Sequence, residues 1–233
     1  MPKTTLVELF ERNLRHTDSL SDDYFDGVEA GQEPAVVSVC CSDSRVPQGG
    51  MWAVDTPGWL FAAGNIGNQV SDVHEGDRVL SGDIAYPIRY TDTDVAVVVG
   101  HTGCGAVTAT LGAVRGDTAE DRPPGVQARI DSLRPIVAAG LEDPRVSADG
   151  EVGLVDRLVE YNVDRQVEYL RTDDAVPASV TVLGVVYDFQ TVYDDVRGRC
   201  HLVNRGGETS VERLREAVPE RFESHVNRLL GPA

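Results

Sequence analysis

Lysine is nearly missing from this chain: Lys3 is the only one in 233 residues. Arginine carries the basic charge, and Asp plus Glu outnumber Lys plus Arg by 38 to 21. The net formal charge is -17. A surface this acidic repels phosphate backbones and anionic lipid, which argues against nucleic acid or membrane as partner. No apolar run approaches the ~20 residues of a membrane-spanning helix. The opening Met1-Pro2-Lys3-Thr4-Thr5 lacks a signal-peptide pattern. Four irregularly spaced cysteines make no disulfide framework, so a reduced, cytoplasmic setting is expected. No C-x-x-C is present, and adjacent Cys40 and Cys41 on a strand point apart, which counts against a thiol redox protein. Internal repeats, low-complexity tracts, G-x-G-x-x-G and P-loop signatures are also lacking. Self-repulsion at this charge is relieved by screening, so salt adaptation, as in a halophile, is expected.

The length and a hydrophobic content of 41% suit one domain spanning 1–233. Two strands stand out. Val36-Val37-Ser38-Val39-Cys40 is a short β-branched run that empties into the polar turn Cys41-Ser42-Asp43-Ser44-Arg45. Asp94 to Gly100 is a second buried run, ending at His101-Thr102-Gly103-Cys104-Gly105. A helical stretch, Ala106 to Val114, follows it. In an open parallel sheet, ligands bind at the carboxyl ends of strands. Cys41, His101 and Cys104 therefore form a Cys2His set. Zinc favours thiolate and imidazole, and three protein ligands leave a position open, the mark of a catalytic site. A fourth ligand would come from Cys200, His201 or Asp43. A lone strand-end Cys is usually a small buried hydrophobe. Two such motifs with an Asp-x-Arg beside the first point instead to a metal site.

C-S-D-S-R-V followed by H-T-G-C-G resembles the β-class carbonic anhydrases. Further likenesses are Gly31-Gln32-Glu33-Pro34, the segment holding Phe61, Asn65, Ile66 and Asn68, the helix of Tyr161 to Val167, and Gly184-Val185-Val186-Tyr187-Asp188. The resemblance runs over about residues 5 to 215. It implies zinc-dependent, reversible hydration of carbon dioxide to bicarbonate and a proton, with zinc hydroxide as nucleophile. Cys41, His101 and Cys104 would hold zinc, and Asp43 paired with Arg45 would orient the nucleophile. Asp43 released from Arg45 would be a fourth ligand closing the site. Gln32, Phe61, Ile66, Tyr86 and Gly103 would meet substrate. The resemblance also implies a homodimer or higher homo-oligomer, with an N-terminal helical arm (1–30) on a partner subunit. Gly64 and Ser38 stand where some bacterial members use Arg and Trp for inhibitory bicarbonate, so that inhibition is not expected here. Same-fold carbon disulfide or carbonyl sulfide hydrolysis, and non-catalytic zinc binding, are the alternatives.

The expected fold is α/β, with four parallel strands, an antiparallel edge strand and flanking helices. Thr5-Leu6-Val7-Glu8 reads as a capping box for a helix to about Arg15, with Leu6, Leu9, Phe10 and Leu14 as its apolar stripe. Residues 17 to 30 read as loop or short helix. Trp59 to Ala63 reads as a buried strand. Asp77 to Tyr90 reads as a helix burying Val79, Leu80, Ile84 and Ile88. Residues 115 to 150 read as a surface excursion with one short helix near Val126 to Val137. Glu151 to Arg171 reads as a long helix, Val180 to Tyr187 as a strand, and Thr191 to Val196 as its antiparallel edge partner. Thr209-Ser210-Val211-Glu212 caps a last helix. His16, His74, His201 and His225 lack ligand spacing and read as surface residues, and Cys200 as a buried strand-end thiol.

Overall fold

The computed structural model describes residues 5–117, 121–147 and 153–231. Its centre is a five-stranded sheet in the order β2-β1-β5-β6-β7. The strands are β1 (Val36–Cys41), β2 (Leu60–Asn65), β5 (Val95–His101), β6 (Thr181–Asp188) and β7 (Arg199–Arg205). The first four in space run parallel, and β7 lies antiparallel to β6. A separate antiparallel pair is formed by β3 (Ser71–His74) and β4 (Asp77–Leu80). The helices are α1 (Leu6–Ser19), α2 (Gln48–Met51), α3 (Gly82–Tyr90), α4 (Gly105–Arg115), α5 (Pro124–Glu142), α6 (Pro144–Ser147), α7 (Leu154–Thr172) and α8 (Val211–Glu216).

The central strands are β-branched runs because both their faces are covered. Along β1, side chains alternate, and this separates the neighbouring thiols. Cys41 joins the main core with Val37, Val39 and residues of α3, α4, α5 and α7. Cys40 joins the smaller core on the other face, with Val97, Val99 and Val185. Part of that second face stays open as a cavity of about 300 Å³, lined by Val36, Trp52, Trp59, Val95, Leu183 and Leu202 among others.

Several elements differ from the reading of the sequence. The segment from Asp77 to Leu80 is strand, not helix. Glu75 and Gly76 both take positive φ (52° and 94°), which makes the tight turn of a two-residue hairpin. The helix begins only at Gly82. Trp59 to Ala63 is not a buried run: β2 covers Leu60–Asn65 at the sheet edge, and only Ala63 is fully buried in it. The excursion after Arg115 contains α5, a 19-residue helix that buries Ile130, Leu133, Val137 and Gly140. Residues 118–120 and 148–152, which include the expected start of the long helix, lie outside the described residues. Thr191 to Val196 is not the edge strand. The Asp188 carboxylate accepts the N–H groups of Gln190, Val192 and Tyr193, which draws that segment into a turn, and β7 supplies the edge. The last helix is capped by Ser210, one residue later than expected.

At the other end, Thr5 caps α1 and accepts the Glu8 N–H at 3.1 Å. The helix runs to Ser19, four residues past Arg15. Leu6, Val7, Leu9, Phe10 and Leu14 are each more than half exposed, and α1 buries no residue.

Candidate metal centre

Parallel pairing places the carboxyl ends of β1 and β5 side by side, with Cys40 opposite Val99. Cys41 is the last residue of β1 and His101 the last of β5. The chain then turns through Thr102 and Gly103 to Cys104, the N-cap of α4. Gly103 has φ +61°, and a side chain there would meet Gln190 at 2.5 Å. The turn that returns Cys104 to face Cys41 thus requires a glycine.

The ligand atoms of Cys41, His101 and Cys104 lie within 4.8 Å of one another. The two sulfurs are 3.9 Å apart. His101 is fully buried, and its Nδ1 is 3.0 Å from the Thr102 carbonyl. That contact puts the proton on Nδ1 and turns the lone pair of Nε2 inward. Nε2 has no hydrogen-bond partner among the described residues, an unusual state for a buried nitrogen. Two thiols, one bare imidazole nitrogen and an anchored second nitrogen fit a zinc ion by donor type and orientation. Neither Cys200 nor His201 belongs to this cluster.

Asp43 and Arg45 sit at its rim. Arg45 Nε donates to Oδ1 at 2.8 Å and Nη2 to Oδ2 at 2.7 Å, while the Arg45 backbone N–H adds a third bond at 3.0 Å. Oδ2 is 3.8 Å from His101 Nε2. Hydrogen bonds from Arg45 hold the Asp43 carboxyl well below the usual carboxylate range. The hydrogen bond from Cys104 pulls the Cys41 thiol well below its ordinary value, against burial and with help from His101. The Cys104 thiol is raised correspondingly, first by Cys41 and then by burial. Cys41 is therefore the more readily ionised of the two thiols. Burial lowers the affinity of His101 for a proton, but the adjoining Cys41 outweighs it and leaves the net shift upward.

Over residues 36–193 the sequence matches the carbonic anhydrase family. The chain belongs to the carbonic anhydrase family. Among its relatives is carbonic anhydrase 2 of Mycobacterium tuberculosis, 29% identical over an alignment of 208 residues that covers 82% of this chain and 86% of the relative. Among solved structures, the Coccomyxa β-carbonic anhydrase in complex with acetazolamide superposes with a TM-score of 0.70 at 23% identity, covering 92% of each chain. A tetrameric β-carbonic anhydrase from Sordaria macrospora gives 0.66 at 20% identity, covering 85% of this chain and 94% of that one. This carbonic anhydrase thus has the β-class fold.

The other residues singled out from the sequence fall in two places. Phe61 and Tyr86 face each other with ring centroids 6.3 Å apart, and Tyr86 continues to Tyr90 at 5.6 Å. Ile66 and Tyr86 are exposed. Gln32 is exposed in a separate hollow of about 650 Å³ with Val28, Pro57 and Trp59, and does not join the cysteine cluster within this chain. The N–H of Gly103 donates to Asp156 Oδ1 at 2.8 Å, and its carbonyl accepts from Arg45 at 3.2 Å. Gly64 lies near Ser42 Oγ and the Gln48 amide, at 3.1 and 3.3 Å from where a Cβ would stand.

Two neighbours of the centre were not singled out from the sequence. Phe189 lies under the Arg45 guanidinium at 4.8 Å and stacks on His101 at 6.0 Å. It immediately follows β6, a third strand ending at the same sheet edge, and that placement was the available signal. Asp156, in the first turn of α7, had no signal beyond its acidity. His201 also departs from expectation: it is buried, stacked on Tyr193 at 4.8 Å, because its position on β7 points inward. Cys200 is half-buried, 3.8 Å from the Met51 sulfur.

Proposed function

We propose that Cys41, His101 and Cys104 hold a zinc ion, and that this carbonic anhydrase uses it to interconvert carbon dioxide and bicarbonate. The observation that carries this reading is the bare, buried His101 Nε2 facing two thiols beside a carboxylate clamped by arginine. Bound there, zinc would act as a Lewis acid that brings the pKa of a water from 15.7 towards about 7. Two thiolates blunt that effect by donating charge, and the Arg45 cation beside them offsets part of it. Asp43, kept ionised by Arg45, accepts a hydrogen bond from the nucleophile and aims its lone pair at the substrate carbon. Released from Arg45, Asp43 would be available as a fourth ligand and would close the site. Phe61, Ile66 and Tyr86 offer an apolar approach suited to carbon dioxide, and Gln32 a hydrogen-bond donor for its oxygens. Gly103, whose polar groups are both engaged, serves by leaving room.

Gln32 would meet a site only if a partner subunit brought one to it, and α1 is in keeping with such an assembly. Its exposed apolar stripe supports residues 1–30 as an arm laid on a partner subunit, and so a homodimer or larger homo-oligomer. Four free cysteines support a reducing cytoplasm, and the charge of -17 supports a halophilic setting.

Metal analysis of the purified protein tests the zinc assignment. About one zinc per chain is expected in the wild type and close to none in Cys41→Ser or His101→Ala. Stoichiometric zinc in either variant would refute the ligand set.

A further inference from the structure

Arg45 must hold Asp43 at one angle, yet it is a long side chain about half exposed. Something has to hold Arg45. Phe189 supports one face of the guanidinium at 4.8 Å. The other restraint is the Gly103 carbonyl, which accepts from Nη2 at 3.2 Å. That carbonyl belongs to a turn with positive φ, between two ligand residues, and such a peptide pivots readily. Its neighbouring N–H is fixed by a single contact, the 2.8 Å bond to Asp156 Oδ1. Asp156 sits in the first turn of α7, where the positive end of the helix favours a carboxylate. The helix is itself packed against β5 and β6 through Val159, Val163 and Val167.

We infer that Asp156 is a positioning residue for the Asp43–Arg45 pair, acting through the Gly103 turn. The chain of contacts runs from Asp156 to Gly103 N–H, from Gly103 carbonyl to Arg45, and from Arg45 to both oxygens of Asp43. It ties the angle of Asp43 to α7, a core element, rather than to the solvent-facing turn that carries it. Asp156 touches neither substrate nor metal. Its carboxylate acts as a hydrogen-bond acceptor, and a neutral acceptor of the same shape does the same work. The inference rests on the assignment of Asp43 and Arg45 given above.

The test compares Asp156→Ala with Asp156→Asn in the zinc-loaded enzyme. The first readout needs no activity: the ¹H–¹⁵N signal of the Arg45 Nε–H, identified by its loss in Arg45→Lys. Bonded to Asp43, this proton exchanges slowly and gives a sharp signal in the wild type. Asp156→Ala should broaden or lose it, and Asp156→Asn should keep it. The hydration rate should follow, with kcat falling about tenfold in the Ala variant and recovering to within about threefold in the Asn variant, one strong hydrogen bond being worth roughly this much. Zinc content should stay unchanged in both. If the Ala variant does not fold, Asp156→Ser, whose hydroxyl falls short of Gly103, takes its place. A sharp Arg45 signal in the Ala or Ser variant would overturn the inference. So would an Asn variant as impaired as the Ala variant, since charge rather than the bond would then be at issue. If the wild type holds its Arg45 signal but hydrates no carbon dioxide, the functional reading fails and the positioning contact stands.

Discussion

The four thiols occupy contrasting surroundings, and this sets what each can do. Burial pushes Cys40 and Cys200 up to about 12. Cys41 is pulled down instead, chiefly by the hydrogen bond from Cys104. A group with a raised pKa is still protonated below it, so at pH 8 only about one part in 10⁴ of Cys40 or Cys200 is thiolate. Cys41, whose shift is downward, is the thiol that ionises first in the metal-free protein. Exposure runs the other way, since Cys200 is more accessible than Cys41. The thiolate is the reactive form, so the opposite directions of the two shifts outweigh the difference in access. We expect iodoacetamide at pH 8, after chelation, to label Cys41 ahead of Cys200, and the zinc-loaded protein to resist at both, read by peptide mass spectrometry. Faster labelling of Cys200 would contradict this assignment of the reactive thiol.

At the scale of elements, α7 packs closely on the sheet beside the site. Gly100 precedes His101 on β5, and a Cβ there would stand 2.7 Å from Val163 and 2.9 Å from Val159. Gly100→Ala forces helix and strand apart and should cost about 1–3 kcal/mol by overpacking. A lower urea midpoint with unchanged slope is the expected sign, and an unshifted midpoint would show that α7 yields freely. The strands that carry the site were legible because β1, β5 and β6 are apolar runs with no competing periodicity. The hairpin β3–β4 was not, because Val79, Leu80, Ile84 and Ile88 recur at helical spacing across a boundary at Ser81. The length of α5 was hidden by Pro123, Pro124 and Gly125, which read as loop although the two prolines lie at the helix start, where proline is tolerated. The three side chains of the cluster, the proposed ligands, could be named from two short motifs. Asp156 and Phe189 could not, because only the packing of α7 and the ending of β6 bring them to the centre.

The whole molecule combines a strongly acidic surface with two unburied apolar features, the stripe of α1 and the open cavity on the sheet. A 14-residue helix is about 21 Å long, enough to lie across a subunit boundary. Replacing Phe10 and Leu14 together by Asp should shift the protein to a lower mass in light scattering at fixed salt. An unchanged mass would remove α1 from the interface. The proposed reaction is the property on which all these parts converge, and in that proposal it turns on Asp43. The most direct measurement is stopped-flow carbon dioxide hydration by the zinc-loaded wild type and by Asp43→Asn, with zinc determined on the same samples. Rapid hydration by the wild type is expected, with a loss of about 10² or more in the variant at equal zinc content. A variant as fast as the wild type, or a zinc-loaded wild type that hydrates no carbon dioxide, would contradict the proposed chemistry.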